Sequence, residues 1–193
     1  MLRKLQSEGV IYLEDNAVSA DSDSRLKLAV RAVELGADIQ QIGSCLRWQE
    51  FEDIAAVALE KNGYNVTTNV HFKHDGRRWE IDVVGCRRPL VVCVDCKRWR
   101  RSLHPSALEK MAAAQAERVE AFADVFPHAR NKAECARWDR ATFVPVILSL
   151  LTVGSKYCEK VPVVPVLQLQ DFLSQLPACL DSVRYLSRKF SHL

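Results

Sequence analysis

The sequence predicts a mixed α/β domain, either α/β or α+β, in which a central sheet of mixed strand direction is flanked by helices. One basis is the order of the predicted elements, which runs helix, three strands, helix, two strands, helix. The other is composition, because 193 residues with 48% hydrophobic and 26% charged side chains suit one main domain with a modest addition. No internal repeat or low-complexity segment interrupts this order.

The first 45 residues are predicted to form a small, mainly helical segment that precedes the main domain of residues 46–193. Residues 25–35 carry apolar side chains at helical spacing, and Gly36 follows as a C-cap. Residues 10–13 (VIYL) are predicted to form a short strand, and a polar loop is expected after them. This segment is expected to add helices to the main domain.

The main domain is predicted to begin with a helix and a β-hairpin. Residues 48–62 place their apolar side chains on one stripe, and Gly63 supplies a left-handed helix end. A strand over 66–74 and a returning strand over 77–85 are joined by Asp-Gly at 75–76, a strong signal for a two-residue turn.

The second half of the chain supplies the remaining layers. The predicted elements are a buried strand over 90–97, a helix over 106–125, strands over 142–151 and 161–167, a short helix over 171–176, and a basic helix over 180–190. Proline cannot donate to a strand ladder, so Pro145, Pro162 and Pro165 are expected at strand starts, edges or irregular positions.

Charge is concentrated in one part of the sequence. The net charge of +3 identifies no partner, but Lys and Arg crowd the stretch from residue 77 to residue 101. Such crowding is what a phosphate backbone attracts, although a solvated charged face is an alternative. The candidate DNA-binding residues are Arg77, Arg78, Arg98, Arg100 and Arg101.

The cysteines and the apolar segments favour a cytoplasmic protein with no membrane partner. Seven cysteines at irregular spacings do not resemble a disulfide framework. Cys93 and Cys96 have C-x-x-C spacing, but on a strand they face opposite sides, so a zinc site is not expected. No run of about 20 apolar residues is present, and the N-terminus lacks the apolar core of a secretory signal.

Strand periodicity brings three charged side chains together. Side chains two residues apart share a face, so Asp95 and Lys97 point to the same side of their strand. On the preceding strand, Asp82 is expected on the face opposite to both Ile81 and Val83. Pairing of the two strands therefore predicts that Asp82 lies near Asp95.

This arrangement indicates metal-assisted phosphodiester hydrolysis. Two facing carboxylates would repel each other, and their oxygens favour Mg²⁺, with Mn²⁺ as a substitute. The Cys96 carbonyl is a further candidate ligand, and Glu52 on the preceding helix could reach the site through a bound water. Lys97 is placed to orient or deprotonate the attacking water, or to stabilise charge at phosphorus.

Three segments carry a family resemblance: FEDIAAVALEKNGYNV, EIDVVG and VVCVDCKRW. Together they resemble the restriction-endonuclease-like PD-(D/E)xK nucleases, most closely the Mrr-type restriction endonucleases and archaeal Holliday-junction-resolvase relatives. The resemblance covers roughly residues 46–177 and implies a restriction-endonuclease-like core. Two departures are that Ile81 stands where the family name has Pro, and that the acid of the D/E-x-K motif is Asp95 rather than Glu.

The resemblance implies roles for individual residues. A Gln on the helix after the D/E-x-K strand is common in the family, and Gln115 is the candidate here. The expected catalytic set is Glu52, Asp82, Asp95, Lys97 and Gln115, and the expected metal ligands are Asp82, Asp95, Cys96 and Glu52.

The expected function is a Mg²⁺-dependent DNA endonuclease acting in restriction, repair or recombination. Cutting both strands usually takes two sites, so a homodimer is a possible assembly. One alternative is a DNA-binding module of the same fold that does not cut, and another is a structural protein whose charged strand ends form ordinary salt bridges. The N-terminal segment could also be a winged-helix-like DNA reader.

Overall fold

A computed structural model of the chain describes residues 1–15, 17–97, 104–126, 138–150 and 156–190. The helices within these ranges are α1 (Leu2–Ser7), α2 (Ser22–Glu34), α3 (Ile39–Cys45), α4 (Trp48–Lys61), α5 (Pro105–Val125) and α6 (Leu169–Gln175). The strands are β1 (Tyr12–Glu14), β2 (Ala17–Ser19), β3 (Asn65–His74), β4 (Arg77–Arg87), β5 (Leu90–Lys97), β6 (Arg140–Ser149), β7 (Tyr157–Cys158), β8 (Val161–Pro165) and β9 (Leu186–Lys189).

A mixed sheet in the order β3-β4-β5-β6-β8-β7 forms the centre of the molecule, with β9 alongside β6. The first three strands of this order pair antiparallel, whereas β6 runs parallel to both β5 and β8. The parallel step from β5 to β6 requires a crossover, and α5 lies on that connection. The mixed sheet flanked by helices confirms the predicted fold class.

The β3–β4 hairpin and the end of α4 follow from their turn residues. Asp75 and Gly76 both have positive φ, at 47° and 75°, as the predicted two-residue turn requires. Gly63 leaves α4 with a φ of 77°, which confirms the left-handed helix end. Local sequence therefore sets the positions of the hairpin and the helix that carry the acidic residues.

Each face of the sheet packs on a different set of helices. On one face, Phe51 and Leu59 of α4 and Leu173 of α6 cover Val92 and Val94 of β5. Gly85 belongs to this face, and a Cβ there would lie 2.8 Å from a Leu59 methyl, so the helix packs directly on the strand.

On the other face, α5 covers the sheet. Its Val119 and Phe122 pack against Val91 of β5 and Phe143 of β6. At 21 residues it is the longest helix of the described ranges, and none of the helices in those ranges is long and apolar enough to cross a bilayer.

The C-terminal segment differs from the prediction. Instead of a basic helix over 180–190, the chain makes a short 3₁₀ turn at Leu180–Ser182 and then strand β9, which pairs antiparallel with the first residues of β6. Phe190 follows and packs on Phe126 and Phe143. The open side of β6 and this aromatic contact override a helical preference, as tertiary context often does.

Pro145 lies inside the central strand β6, where proline is normally excluded. On one side, β9 pairs with β6 as far as Phe143, and β8 begins to pair only at Ile147. Pro145 therefore lies in the interval between the two partners, where a missing N–H leaves no ladder bond unmade. This confirms the expectation of an irregular position.

The N-terminal segment packs on the main domain through α2. Arg25 donates to the buried Glu50 carboxylate at the start of α4, with Nε 2.5 Å from Oε1, and also to the Cys45 carbonyl. The polar stretch predicted as a loop contains β2, which pairs with β1 as a small hairpin. The boundary at residue 45 stays a prediction.

The pairing of β3 with β4 is interrupted at Asn69 and Asp82. The two strands pair on both sides of these residues, but Asn69 and Asp82 are not paired with each other, and Asn69 has a φ of 52°. Ile81 packs in the cluster under α5, whereas Val83 packs in the cluster under α4. The expectation that Ile81 and Val83 share a face was wrong, because the break reverses the faces of both strands and leaves Asp82 at the point of reversal.

We expect the break to depend on a residue that tolerates left-handed backbone at position 69. Asn69→Val should lower the free energy of unfolding by about 1–3 kcal/mol, because β-branched side chains clash there. Asn69→Gly should stay within about 1 kcal/mol of the unaltered protein. Urea denaturation measures both, with Asn65→Val at an exposed, regular position of the same strand as control. Equal losses for the two valine variants would contradict this account.

Candidate active site

The acidic residues meet where β4 and β5 separate. Pairing between these strands ends at Val83–Val94, while β5 stays paired with β6 as far as Lys97–Ser149. Beyond that point the Cys96 N–H has no partner on β4, and the Asp82 carboxylate accepts it at 2.7 Å. A side chain thus replaces the strand ladder, and this fixes Asp82 against the middle residue of the D-x-K segment.

Asp95 is a buried carboxylate held between two cations. Its residue is 4% exposed, and Lys97 Nζ lies 2.8 Å from Oδ2 and 3.0 Å from Oδ1. Arg118 of α5 donates to Oδ1 at 2.8 Å. The contact with Lys97 confirms that residues 95 and 97 share a face, which is the face that α5 covers.

Gln115 lies behind Asp95 and is fully buried. Its Nε2 donates to the Cys93 carbonyl at 2.9 Å and lies 3.4 Å from the Val146 carbonyl, so it spans β5 and β6. Its Oε1 accepts from Arg118 Nη1 at 2.6 Å. Gln115 therefore fixes the helix to the sheet at the level of the acidic residues and reaches them through Arg118.

Glu52 approaches from the opposite face, on the first turns of α4. It is 3% exposed, and Gln49 donates to it at 3.1 Å. Burial raises the pKa of the Glu52 carboxyl, the charge of Asp82 raises it further, and a hydrogen bond from Trp48 lowers it. Glu50, a rival on the same helix, is instead ion-paired with Arg25.

Burial is also the main influence on Asp82. It raises the pKa of this carboxyl, and the hydrogen bond from Cys96 N–H acts in the opposite direction. The charge of Asp95 raises the pKa again, while Lys97 and Arg118 lower it. Asp82 is thus a carboxylate with one fixed hydrogen bond, between a buried Glu52 and the compensated Asp95.

The Cys96 thiol takes no part in this polar group. It packs in the core under α4, and burial raises its pKa well above the ordinary value. Its backbone N–H points toward Asp82, and the carbonyl of the same residue in a strand points to the same side. Cys93 packs in the opposite core cluster, so the C-x-x-C pair is divided between two faces, as expected.

The oxygen atoms at this site suit a hard cation, and they would fill only part of its coordination shell. In the described part of the chain, no group of three or more His, Cys, Asp or Glu side chains could hold a metal ion. The available donors are oxygens of Asp82 and Asp95 with the Cys96 carbonyl. Hard divalent cations prefer oxygen ligands and can complete their shell with water and substrate phosphate, so this set fits a cation of that class.

The described basic residues of this stretch lie at two separate places. Arg77 and Arg87 lie at opposite ends of β4, which at 11 residues is about 33 Å long. The Arg77 end is the one beside Lys97; there Arg77 pairs with Glu117 at 3.1 Å and lies over the Trp79 ring, while Arg78 is exposed. Arg98, Arg100 and Arg101 lie outside the described residues.

Among the described residues, Arg118 is the one at this site that the sequence did not predict. The sequence predicted that two carboxylates would repel each other without a metal, but Asp95 carries two ion pairs in the structure. The available signal was the spacing of Gln115 and Arg118, since side chains three apart share a helix face. Without knowing that α5 crosses β5, this spacing could not be connected to Asp95.

Comparison with known proteins gives partial matches among solved structures. A crystal structure of AF1548, a protein of unknown function, covers 55% of this chain at 24% identity with a TM-score of 0.35. A crystal structure of VC1899 from Vibrio cholerae covers 94% at 11% identity with a TM-score of 0.39. The chain spans 49% and 42% of those two chains, so about half of each or less.

Sequence comparison identifies the family. An uncharacterised protein of Archaeoglobus fulgidus is 30% identical over 132 residues, which cover 68% of this chain and 92% of that protein. The restriction endonuclease family model Mrr_cat matches residues 44–153, from the residues before α4 to just beyond β6. The chain therefore belongs to the Mrr-type restriction endonuclease family, a family of nucleases.

Proposed function

We propose that the protein is a Mg²⁺-dependent endonuclease that hydrolyses phosphodiester bonds of DNA, with Glu52, Asp82, Asp95, Lys97 and Gln115 as its functional residues. The observation that carries the proposal is the hydrogen bond from Cys96 N–H to Asp82, next to the ion pair of Asp95 with Lys97. It brings two carboxylates and an ammonium to one strand separation in a member of a nuclease family.

The metal would be held by Asp82, Asp95 and the Cys96 carbonyl, with Glu52 at the edge of the site. When bound, the cation supplies Lewis acidity at phosphorus and a template for the reacting groups, and Mn²⁺ has the same preference for oxygen ligands. The Cys96 N–H fixes one oxygen of Asp82, so the other oxygen is the one left to face a cation. Thiol coordination plays no part, because the Cys96 side chain is in the core.

Lys97 acts on charge and orientation. Its side chain is 29% exposed, so the ammonium reaches solvent while it donates to Asp95. An ammonium that is already hydrogen-bonded to a carboxylate is well placed to orient the attacking water and to stabilise the negative charge that grows on the phosphate oxygens. In the hydrolysis, the water oxygen bonds to phosphorus, one phosphorus–oxygen bond breaks, and the leaving oxygen takes up a proton.

Glu52 and Gln115 support this centre in different ways. Burial raises the pKa of Glu52, which suits this carboxyl to exchange a proton with a water near Asp82. Gln115 has no exposure and contacts backbone carbonyls and Arg118, so we propose it as a positioning residue. The two residues belong to helices on opposite faces of the sheet.

DNA would approach the end of the sheet that carries Lys97 and the exposed Arg78. Arg77, held by Glu117 and Trp79, borders the same end. The candidates Arg98, Arg100 and Arg101 continue from Lys97 in the sequence. We also propose that the protein is cytoplasmic and that it acts as a homodimer that cuts both strands. Its role would lie in restriction, repair or recombination.

Cleavage of supercoiled plasmid and branched DNA tests the proposal, with Mg²⁺, Mn²⁺ or EDTA present. Asp82→Asn and Lys97→Met should each lower the metal-dependent cleavage rate by at least about 100-fold, since each removes charge at the reacting centre. Glu52→Gln should slow cleavage, whereas Glu60→Gln and Lys61→Met, exposed near the far end of α4, should cleave normally. DNA binding without cleavage by the unaltered protein would instead favour a non-cutting module.

Stability of the metal-free protein should respond oppositely to two similar substitutions. The folded-state pKa of Asp82 is raised, so the stability it contributes is present at low pH and is lost as the pH rises through the raised value. Asp82→Asn should therefore stabilise the metal-free protein at neutral pH, with a gain that shrinks as the pH falls toward about 3.9. Asp95→Asn should destabilise it by about 1–2 kcal/mol, because two cations lose their carboxylate.

Thermal unfolding across pH, with and without Mg²⁺, measures both effects. Added Mg²⁺ should raise the midpoint of the unaltered protein and leave that of Asp82→Asn unchanged. A midpoint for Asp82→Asn below that of the unaltered protein at neutral pH without metal would contradict the assigned environment of Asp82.

A further inference from the structure

We infer that Arg118 is a phosphate-binding residue of this site, which presents one edge of its guanidinium to the DNA backbone while its other edge is fixed to the protein. The inference rests on the proposed function in taking DNA as the ligand. It adds a residue outside the acidic set, Lys97 and Gln115.

The guanidinium is fixed by two bonds from a single nitrogen. Nη1 donates to Asp95 Oδ1 at 2.8 Å and to Gln115 Oε1 at 2.6 Å. Gln115 in turn donates to the carbonyl of Cys93 in β5. The position of Arg118 is therefore set by the sheet backbone through a fully buried amide, and little side-chain freedom remains to be lost on binding.

The remaining edge of the guanidinium is available. Arg carries five N–H donors, and the two on Nη1 are engaged. Within the described ranges, no hydrogen bond is made by Nε or Nη2, and the side chain is 23% exposed. Nε and Nη2 form the side of the fork that binds two oxygens of one phosphate in parallel.

Local charge explains why such a residue is needed. Glu52, Asp82 and Asp95 place three carboxylates near the strand separation, and a phosphate diester approaching them would be repelled. Among the described cations, Lys97 alone does not balance these three carboxylates, because its single charge is already engaged by both oxygens of Asp95. A second cation beside Asp95 lowers the repulsion and adds a directional contact for the backbone.

The decisive measurement is binding of a short DNA duplex in EDTA, followed by fluorescence anisotropy across about 50–200 mM salt. Arg118→Met should weaken binding about fivefold and reduce the slope of log affinity against log salt by about 0.9, the value for one lost phosphate contact. Arg118→Lys should keep the slope and recover part of the affinity, because it keeps the charge but loses the fork.

Arg188→Met is the matched control. Arg188 is also partly exposed, and it pairs with a carboxylate of the same helix, Asp124, at 3.0 Å. This variant removes the same net charge, but not from a residue that contacts Asp95. Its DNA affinity and salt slope should therefore stay close to those of the unaltered protein. If Arg118→Met matches Arg188→Met, the inference is overturned.

Making the same substitution in the Asp95→Asn variant separates direct phosphate contact from charge compensation. If Arg118 contacts phosphate, adding Arg118→Met to Asp95→Asn should still lower the salt slope by about 0.9. If Arg118 serves only to neutralise Asp95, its removal should have no effect once the carboxylate is gone, and the inference fails. Absence of measurable binding by the unaltered protein also overturns it.

The binding assay contains no divalent metal, so its outcome is independent of cleavage. A protein that binds through Arg118 but never cuts would refute the nuclease proposal and leave the inference standing. If Arg118→Met does not fold, as judged by thermal unfolding, the comparison of Arg118→Lys with the unaltered protein decides. Equal affinity of those two proteins would then overturn the inference.

Discussion

The hydrogen bond between the Asp82 carboxylate and the Cys96 N–H connects the fold of this protein to its chemistry. A strand N–H without a ladder partner needs another acceptor, since an unpaired buried donor costs about 1–3 kcal/mol. The separation of β4 from β5 creates that need, and the break at Asn69 turns Asp82 toward it. The same carboxylate then faces Glu52 on one side and Asp95 on the other, so backbone geometry determines where negative charge accumulates.

Positive charge around this hydrogen bond is distributed unevenly among Asp82, Asp95 and Glu52, and this difference distinguishes the roles of the three carboxylates. Within the ranges that the structure describes, Asp95 has Lys97 and Arg118, whereas Asp82 has a single backbone donor and Glu52 has neutral partners. Burial raises the pKa of both Asp82 and Glu52, as expected for carboxyls without a bound cation of their own. Among the described residues, the site therefore combines one carboxylate that is ion-paired, Asp95, with two that have no ion pair.

Much of this could be predicted from the sequence, because the signals are local. The Asp75-Gly76 turn, the Gly63 helix end and the alternation along β5 predicted the hairpin, α4 and the shared face of Asp95 and Lys97. The parts that failed depend on distant partners. Strand β9 forms because β6 offers an open side, and the faces of Ile81 and Val83 are set by a break shared with β3. Arg118 reaches Asp95 only because α5 crosses β5, which residue spacing does not reveal.

The break at Asn69 has a second effect, on the border of the sheet. Among the described strands, β3 is the outermost on its side of the sheet, and at ten residues it presents a long row of backbone donors and acceptors. A continuous border of that length invites pairing with a strand of another molecule. The left-handed residue near its middle, Asn69, interrupts this row. The feature that turns Asp82 thus also shortens the uninterrupted stretch of backbone to which another strand could pair.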